Sequence, residues 1–351
     1  MIVTRRGAAA AVSAAAVVLA VAGGAAFAGA KAGSGPGAAA GGPAGLSGPG
    51  VARRKAVEIG RAANGEEAAV LGRPLALAWG GDRLYIADGL DCAVKVFSRD
   101  GRFLRSFGRK GAGPGELSLP SGLAVAGGAV AVADKLNFRI QTFDGDGKLL
   151  GGFKVPFPPD RVYHLGKGRL LVTANPAGKR PDERLLHAFD ATGREVWTAL
   201  DASRSSDPAL DAFRNMILIC PGAEDDFYVV RRIAERTIRR FSASGATLGE
   251  IPVDERHAFR SLDIPSLRGA IRLEGFCWAA AYDGGRFYLS APDPLDGRDL
   301  GPGRTVSVVD GQGGLLAVVE LACPVHRFLV VGGRMFAVDD EGELRIFEVG
   351  R

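Results

Sequence analysis

Residues 74–108 read PLALAWGGDRLYIADGLDCAVKVFSRDGRFLRSFG, and residues 120–153 repeat that pattern as PSGLAVAGGAVAVADKLNFRIQTFDGDGKLLGGF. The two segments align without a gap, since Pro74 falls on Pro120 and Phe97 falls on Phe143, a shift of 46 positions. Self-similarity at such a period is typical of proteins built from repeated supersecondary units. The chain is therefore predicted to contain several copies of one unit.

Each copy is predicted to contain four short β-strands, because short apolar runs alternate with turns rich in Gly, Asp or Asn. The second strand of the unit is the clearest, and it recurs six times along the chain. Its copies are LYIAD ending at Asp88, VAVAD at Asp134, LLVTA at Ala174, FYVVR at Arg231, FYLSA at Ala291 and MFAVD at Asp339.

The sixth unit lacks its last strand, because its third strand, LRIFEV, ends at Val349, close to the end of the chain. A replacement exists at the other end, where Lys55–Gly60 reads KAVEIG and precedes the first unit. Completing the last sheet with this strand would remove an exposed edge and close a ring. The sequence thus predicts an all-β fold over residues 55–351. It is a six-bladed β-propeller with four-stranded blades, the last blade closed by an N-terminal strand.

The second repeat carries a more specific motif. Residues 108–125 read GRKGAGPGELSLPSGLAV, and residues 132–143 read VADKLNFRIQTF. This succession of a GPGEL loop, a Pro and an Asn-x-Arg-Ile-Gln strand resembles the NHL repeat. The resemblance implies a six-bladed propeller of the kind found in exported bacterial proteins, many of them interaction modules, and it implies no activity. Within the motif, Asp134 is expected to cap a turn, Asn137 to tolerate a left-handed turn conformation, and Arg139 to bridge Asp134 or backbone carbonyls.

The N-terminal residues indicate where in or outside the cell the protein is expected to be found. Residues 7–30 carry no charged side chain, consist almost entirely of Ala, Gly and Val, and end in small residues that fit a cleavage site. Residues 1–30 are therefore predicted to be a signal peptide, with an uncleaved membrane anchor through residues 7–30 as the alternative. Residues 31–54, rich in Gly, Ala and Pro, are predicted to be a linker. The protein is expected to be exported, to the periplasm or the cell exterior.

Composition and charge exclude several classes of protein. The 51 Gly and 19 Pro among 351 residues show no three-residue period, which excludes collagen. A net charge of +5 is too mild to predict a nucleic-acid partner, and a membrane contact is expected only if the N-terminal segment stays uncleaved. The four cysteines include no CxxC pair. They are expected to be mostly buried thiols, with one disulfide among Cys220, Cys277 and Cys323 as the alternative.

The predicted loops give the propeller two different faces. Turns between strands one and two, and between strands three and four, are short, whereas insertions fall on the opposite face, at residues 176–184, 201–215, 254–274 and 292–304. Long loops on a rigid scaffold are the usual place for recognition, so a ligand or partner is expected on that face, beside the channel mouth. The candidate binding residues are Arg180, Asp182, Arg184, His257, Arg260, Arg298 and Asp299.

The sequence carries few signals of catalysis. It has four His, none in an HExxH zinc motif, and it has no GxSxG nucleophile motif. We therefore predict no catalytic residues, no cofactor, and a binding or scaffold module whose partner is a protein or polar ligand in the cell envelope. The alternative is a metal-dependent hydrolase or lyase, similar to propeller lactonases, with a divalent cation at the channel mouth. Its candidate carboxylates are Glu116, Asp160, Asp263 and Glu274.

Overall fold

A computed structural model describes most of the predicted propeller. The described residues are 51–61, 69–174, 184–205, 208–223, 225–233, 235–257, 260–266, 269–294 and 300–350. The predicted signal peptide and most of the predicted linker lie outside these ranges. Among the residues that are described, none belongs to a helix with the length and apolar character needed to cross a membrane.

Two strands, β1 (Ala52–Lys55) and β2 (Val57–Arg61), precede the repeats. The strands of the first three blades follow in chain order, each blade running from its inner to its outer strand. Blade 1 has β3 (Pro74–Gly80), β4 (Arg83–Asp88), β5 (Ala93–Ser98) and β6 (Phe103–Phe107); blade 2 has β7 (Pro120–Ala126), β8 (Ala129–Asp134), β9 (Arg139–Asp144) and β10 (Leu149–Lys154); blade 3 has β11 (Pro159–Leu165), β12 (Arg169–Ala174), β13 (Arg184–Phe189) and β14 (Glu195–Asp201).

Blades 4 to 6 contain the same four-strand unit with additions between strands and between blades. A 3₁₀ turn at Lys135–Asn137 in blade 2 and helix α1 (Pro208–Arg214) before blade 4 are the helical segments described. Blade 4 has β15 (Ile217–Pro221), β16 (Phe227–Arg231), β17 (Thr237–Phe241) and β18 (Thr247–Pro252), and a separate hairpin of β19 (Arg260–Ser266) and β20 (Gly269–Gly275) follows it. Blade 5 has β21 (Ala279–Asp283), β22 (Arg286–Ser290), β25 (Thr305–Asp310) and β26 (Leu315–Glu320), and the small hairpin of β23 (Asp293–Pro294) and β24 (Leu300–Gly301) lies between β22 and β25. Blade 6 has β27 (Val325–Val331), β28 (Arg334–Asp339) and β29 (Leu344–Glu348).

The six blades form a ring around a central channel, and the core lies between neighbouring blades. The inner strands β3 and β7, β7 and β11, and β27 and β3 contact one another. One core cluster joins Phe107 of blade 1 to Phe143 of blade 2, with ring centroids 5.1 Å apart. Burying large aromatic side chains between blades is the main source of stability for such a ring. The predicted all-β six-bladed propeller is thereby confirmed.

An N-terminal strand closes the ring, as predicted. Strand β2 pairs antiparallel with β29 and supplies the fourth strand of blade 6. A second pairing was not predicted, because β1 lies parallel to β26 and becomes a fifth strand of blade 5. Residues 52–54 of the predicted linker therefore belong to a sheet. The N-terminal segment joins blade 5 to blade 6 across the closure.

Three blades share a buried carboxylate at the end of the second strand, paired with a cation on the third strand. In blade 2, Asp134 Oδ2 accepts bonds from Arg139 Nε and Asn137 Nδ2, each at 2.8 Å. Arg139 also donates to three backbone carbonyls of the GPGEL loop, at Ala112, Gly113 and Glu116. The bridging role expected for Arg139 is thus observed. The left-handed residue, however, is Phe138 (φ 54), one position after Asn137.

All four cysteines are unpaired thiols. Cys92, Cys220 and Cys277 are buried and Cys323 is partly exposed, as expected for most of them. The alternative of a disulfide among Cys220, Cys277 and Cys323 is not realised in this structure. Burial raises the pKa of the Cys277 thiol to about 12, so this sulfur stays protonated and unreactive.

Candidate functional site

The two faces of the ring differ in the way the sequence predicts. On one face, which we call the short-turn face, each turn between strands one and two or three and four is short, such as Gly127–Gly128 between β7 and β8. On the other, the long-loop face, the connections carry helix α1 and the hairpins β19–β20 and β23–β24. These additions lie on the face at which the inner strands begin.

Arg161 extends into this end of the channel from blade 3. It is the third residue of β11, which begins at the long-loop face. Its Nη1 atom donates to the backbone carbonyls of Ser121 in blade 2 and Leu75 in blade 1. One guanidinium thus links the inner strands of three consecutive blades. Gly122 permits this approach, because a Cβ atom there would lie 2.7 Å from the Cα of Arg161.

Arg327 occupies the corresponding position of blade 6, since it is the third residue of the inner strand β27. In a six-bladed ring, blades 3 and 6 stand opposite each other, so Arg161 and Arg327 extend from opposite sides of the channel. The Nε atom of Arg327 is buried and has no hydrogen-bond partner among the described residues. Burial, together with the charges of Arg161, Arg232 and Arg73, lowers the pKa of Arg327 to about 9.

Arg232 completes the group from blade 4, directly after the second strand β16. Its guanidinium lies over the ring of Trp278, 4.4 Å from the centroid, which is a favourable cation–π geometry. Its Nε atom is also buried without a hydrogen-bond partner within the described part of the chain. Burial lowers the pKa of Arg232 to about 10, and Arg161 contributes to the same direction. We call Arg161, Arg232 and Arg327 the arginine cluster.

Within the part of the chain that the structure describes, Asp160 is the carboxylate nearest the arginine cluster. Asp160 accepts a hydrogen bond from Lys135 at 2.8 Å and lies 3.9 Å from Arg161 Nε. Burial alone raises the pKa of Asp160, but the charges of Lys135, Arg161 and Arg327 outweigh it and hold that pKa below the ordinary value. The carboxylate is therefore ionised and already bound to cations. The channel mouth as a whole carries an excess of positive charge.

Of the seven predicted binding residues, the structure describes the surroundings of Arg184 and His257. Arg184, at the start of β13, forms an exposed ion pair with Asp201 at 3.0 Å. His257 is 1% exposed and bonds Ser307 Oγ and the Phe276 carbonyl, each at 2.8 Å. Both ring nitrogens are thus occupied inside the protein, which corrects the assignment of His257 to the binding surface. Arg260 begins β19, and the other four candidates, Arg180, Asp182, Arg298 and Asp299, lie outside the described residues.

The four candidate metal carboxylates are dispersed. Glu116 caps the GPGEL loop by accepting from Gly113 N–H at 2.9 Å and from Arg109. In the hairpin, the backbone of Asp263 lies opposite Arg272 and that of Glu274 opposite Ser261 in the strand register. Asp160 is the one candidate at the channel mouth, where its neighbours are cations. The described residues contain no group of three or more side chains placed to hold a metal ion.

Sequence reasoning missed the arginine cluster. Arg161 and Arg327 share the third position of an inner strand, and each follows an irregularity in the pairing with the second strand. That shared position is the signal that could have identified them. Arg240, in the same blade, pairs with Asp226, whereas Arg232 Nε has no hydrogen-bond partner among the described residues.

Comparisons with known proteins agree with the fold. The family model DUF5128, described as "6-bladed beta-propeller", matches residues 66–212. A search of curated proteins finds no match. Three solved structures are similar at low sequence identity. A candidate exported protein from Bacteroides fragilis is 14% identical with a TM-score of 0.58, and the match covers 85% of this chain and 95% of that one. A member of the duf4221 family from Bacteroides vulgatus is 11% identical with a TM-score of 0.58 (84% of this chain and 97% of that one), and hydrazine synthase from Kuenenia stuttgartiensis is 13% identical with a TM-score of 0.51 (82% of this chain and 99% of that one).

Likeness at such identities extends to the fold and no further. The matched family model is a six-bladed propeller, as the likeness to the NHL repeat implies, but it is not a model of the NHL repeat. The chain is therefore a six-bladed β-propeller that matches the DUF5128 family model over residues 66–212.

Proposed function

We propose that this protein is an exported binding or scaffold module that holds a partner or polar ligand on its long-loop face, at the mouth of the channel. The observation that carries the proposal is the asymmetry of the ring, because α1, β19–β20 and β23–β24 all lie on one face. Loops positioned by a rigid scaffold are where recognition is concentrated. The incompletely bonded arginine cluster at the same mouth adds polar groups that can reach a ligand.

Export is part of this proposal. Its support is the uncharged Ala- and Gly-rich segment at residues 7–30, which is typical of a signal peptide. The likeness of blade 2 to the NHL repeat, a family with many exported members, points in the same direction. So does the fold that the chain shares with a candidate exported protein of Bacteroides fragilis. The partner would accordingly be found in the cell envelope.

A non-catalytic role is the second part of the proposal. The fold itself is neutral on this question, since hydrazine synthase has a similar fold. The support comes from the chemistry of the channel mouth, where arginines carry the charge. A metal-dependent hydrolase or lyase is the alternative, and its candidate carboxylate at this mouth, Asp160, is bound to Lys135.

Removal of the β19–β20 hairpin tests the proposal. The two strands pair with each other, and Gly275 at the end of β20 also bridges to Ile233. Replacing residues 261–274 with a short Gly-Ser linker keeps Gly275 and leaves every blade with its strands. A partner is first identified by capture from an envelope extract with the wild-type protein, and its affinity is then measured with purified components. We expect the hairpin variant to bind about tenfold more weakly, a loss of roughly 1.4 kcal/mol.

The matched control changes the short-turn face. Gly127 and Gly128 both have positive φ (56 and 77), so replacing them with Asn-Gly preserves the turn. This control should bind as the wild type does. Equal weakening by both variants, or unchanged affinity of the hairpin variant, would contradict the assignment of the long-loop face.

A further inference from the structure

We propose that the arginine cluster of Arg161, Arg232 and Arg327 binds a doubly charged oxyanion group, such as a phosphate or a pair of carboxylates, of the ligand. This inference rests on the proposed function, since it specifies the chemistry of what occupies the channel mouth. It depends on three observations: the charge balance of the mouth, the unbonded donors of two arginines, and the contrast with arginines elsewhere in the fold.

The charge balance of the mouth favours an anion. Five cationic side chains contribute to its field, namely Arg73, Lys135, Arg161, Arg232 and Arg327, since each of them affects the pKa of Asp160 or Arg327. Among the described residues, Asp160 is the carboxylate that raises the pKa of Arg232 and Arg327, and Lys135 already neutralises it through a 2.8 Å bond. Asp339 and Asp340 act on the neighbouring His326, and Asp339 is itself paired with Arg345. Converging like charges in a partly enclosed space repel one another unless an anion lies between them.

Two guanidinium groups retain donors without acceptors. The Nε atoms of Arg232 and Arg327 are buried, and neither finds a hydrogen-bond partner within the described residues. The contacts of Arg232 are to weak acceptors, the Trp278 ring at 4.4 Å and Met216 Sδ at 3.9 Å. A planar guanidinium binds phosphate and carboxylate oxygens through paired N–H groups, and such oxyanions would satisfy these donors.

Several arginines elsewhere in the ring have carboxylate partners. Arg139 binds Asp134 at 2.8 Å, Arg345 binds Asp339 at 2.7 Å, and Arg240 binds Asp226. No carboxylate lies within ion-pair distance of Arg232 or Arg327 in the part of the chain that the structure describes. The fold thus builds closed ion pairs where arginine is structural. At the channel mouth, Arg232 and Arg327 are instead placed to pair with an anionic group of a ligand.

The experiment measures melting temperatures of the purified propeller with inorganic phosphate, malonate, acetate, or sodium chloride at matched ionic strength. We expect phosphate or malonate at about a hundred times its Kd to raise the Tm of the wild type by roughly 5 °C. Acetate, with one charge, should raise the Tm less, and chloride should have little effect. A larger shift with phosphate than with malonate would identify a phosphoryl group as the source, and the reverse would identify a dicarboxylate.

The variants Arg327→Met and Arg232→Met separate a ligand site from a structural role. Without added anion, each should melt at the wild-type temperature or higher, because an unpaired buried cation has been removed. In phosphate or malonate, each should melt below the wild type. Arg139→Met is the matched control: it breaks the pair with Asp134, so it should lower the Tm in every buffer and leave the anion-dependent shift intact.

Two outcomes would overturn the inference. One is that no anion raises the Tm of the wild type beyond the effect of sodium chloride. The other is that both Met variants lose stability in every buffer and keep the anion-dependent shift, as Arg139→Met should. Either outcome leaves the proposed function standing if the hairpin variant still loses its partner. Anion binding together with an unaffected hairpin variant would instead contradict the assigned partner surface alone.

Discussion

At single positions, the ring depends on glycines that let one blade approach the next. Gly147, Gly193 and Gly245 recur in the turn between strands three and four, with φ values of 94, 84 and 85. A Cβ at each would lie within 2.4 to 2.7 Å of an aromatic side chain on the outer strand of the preceding blade, Phe107, Phe153 and Trp197 respectively. These glycines are therefore required both by backbone conformation and by close packing.

The first prediction concerns Gly147→Ala. We expect the free energy of unfolding to fall by about 3 kcal/mol, since a left-handed alanine costs roughly 1–2 kcal/mol and overpacking adds a similar amount. Gly128→Ala is the control, because Gly128 has a φ of 77 but no atom within 4 Å of the added Cβ. Urea denaturation of both variants measures the difference. Equal losses would show that contact with Phe107 does not matter.

The second prediction concerns His257, which burial keeps neutral. The pKa of His257 is lowered to about 4, mainly by burial and further by the charge of Arg236. The hydrogen bond to the Phe276 carbonyl opposes this shift. In the unfolded chain this histidine binds a proton as the pH falls below about 6.5, whereas in the folded protein it stays neutral down to about pH 4. Stability from this residue is thus complete above pH 6.5 and is lost as the pH falls towards 4.

Unfolding free energies measured from pH 7.5 to pH 4.5 should therefore fall by about 2–3 kcal/mol on account of His257 alone. His164 and His326, whose pKa values burial also lowers, add to the same slope. The variant His257→Gln should be less stable at neutral pH but should show a flatter dependence over this interval. A slope identical to that of the wild type would contradict the buried neutral histidine.

At the scale of single elements, the pair of strands two and three is stabilised by a buried ion pair in three blades. Asp88 meets Lys95 at 3.3 Å in blade 1, and the pairs of Asp134 with Arg139 and Asp339 with Arg345 take the same role in blades 2 and 6. The carboxylates also accept backbone N–H groups, as Asp134 does from Ser118 at 2.6 Å. In blades 3 to 5 the position holds Ala174, Arg231 or Ala291.

The third prediction is that Asp134→Asn lowers the free energy of unfolding by about 3 kcal/mol, because it leaves the half-buried Arg139 without its counter-charge. The comparison is Asp146→Asn, since Asp146 pairs with Arg83 at 3.1 Å but is 68% exposed. Water replaces an exposed partner at little cost, so Asp146→Asn should hardly change stability. Thermal and urea unfolding of the two variants decide the question. A small effect of Asp134→Asn would show that the ion pair with Arg139 contributes little to stability.

At the scale of the whole molecule, the ring is held closed by the residues before the first repeat. Strand β2 has mostly exposed side chains, so its contribution comes from backbone pairing with β29 and from Glu58, which binds Arg345 at 3.4 Å. Strand β1 extends this attachment to blade 5, and Ala56 N–H donates to the Glu320 carbonyl at 2.9 Å between the two strands. One short segment thus covers the outer edges of two blades.

The fourth prediction compares two truncations of the N-terminus. A chain beginning at residue 62 lacks β1 and β2, and we expect its Tm to fall by roughly 10 °C and its exposed β29 edge to promote self-association. A chain beginning at residue 51 keeps both strands and should melt as the full chain does. Calorimetry and size-exclusion chromatography measure these effects. Equal melting temperatures would show that the ring closes without the N-terminal strands.

Local pattern was sufficient to predict the four-stranded blade unit, its turns, the number of blades and the closing strand, but not β1 or the hairpins β19–β20 and β23–β24. Hairpins are formed by neighbouring residues, and their alternation and glycines repeat visibly, as from Pro74 to Pro120. The pairing of Asp134 with Arg139 lies within one hairpin and was predictable for the same reason. The burial of His257, and the parallel attachment of β1 to blade 5, depend on contacts between distant segments and were not.

The arginine cluster was decided by the tertiary structure alone. Arg161, Arg232 and Arg327 belong to blades 3, 4 and 6, and although Arg161 and Arg327 share a repeat position, nothing in the sequence places Arg232 beside them. They come together because ring closure brings the starts of the inner strands, which carry Arg161 and Arg327, and the end of the second strand β16, which precedes Arg232, to the same face, whatever their separation along the chain. The sequence by itself thus determined a six-bladed scaffold with one elaborated face, since these are properties of local repetition. Ring closure determined which charges meet at its centre.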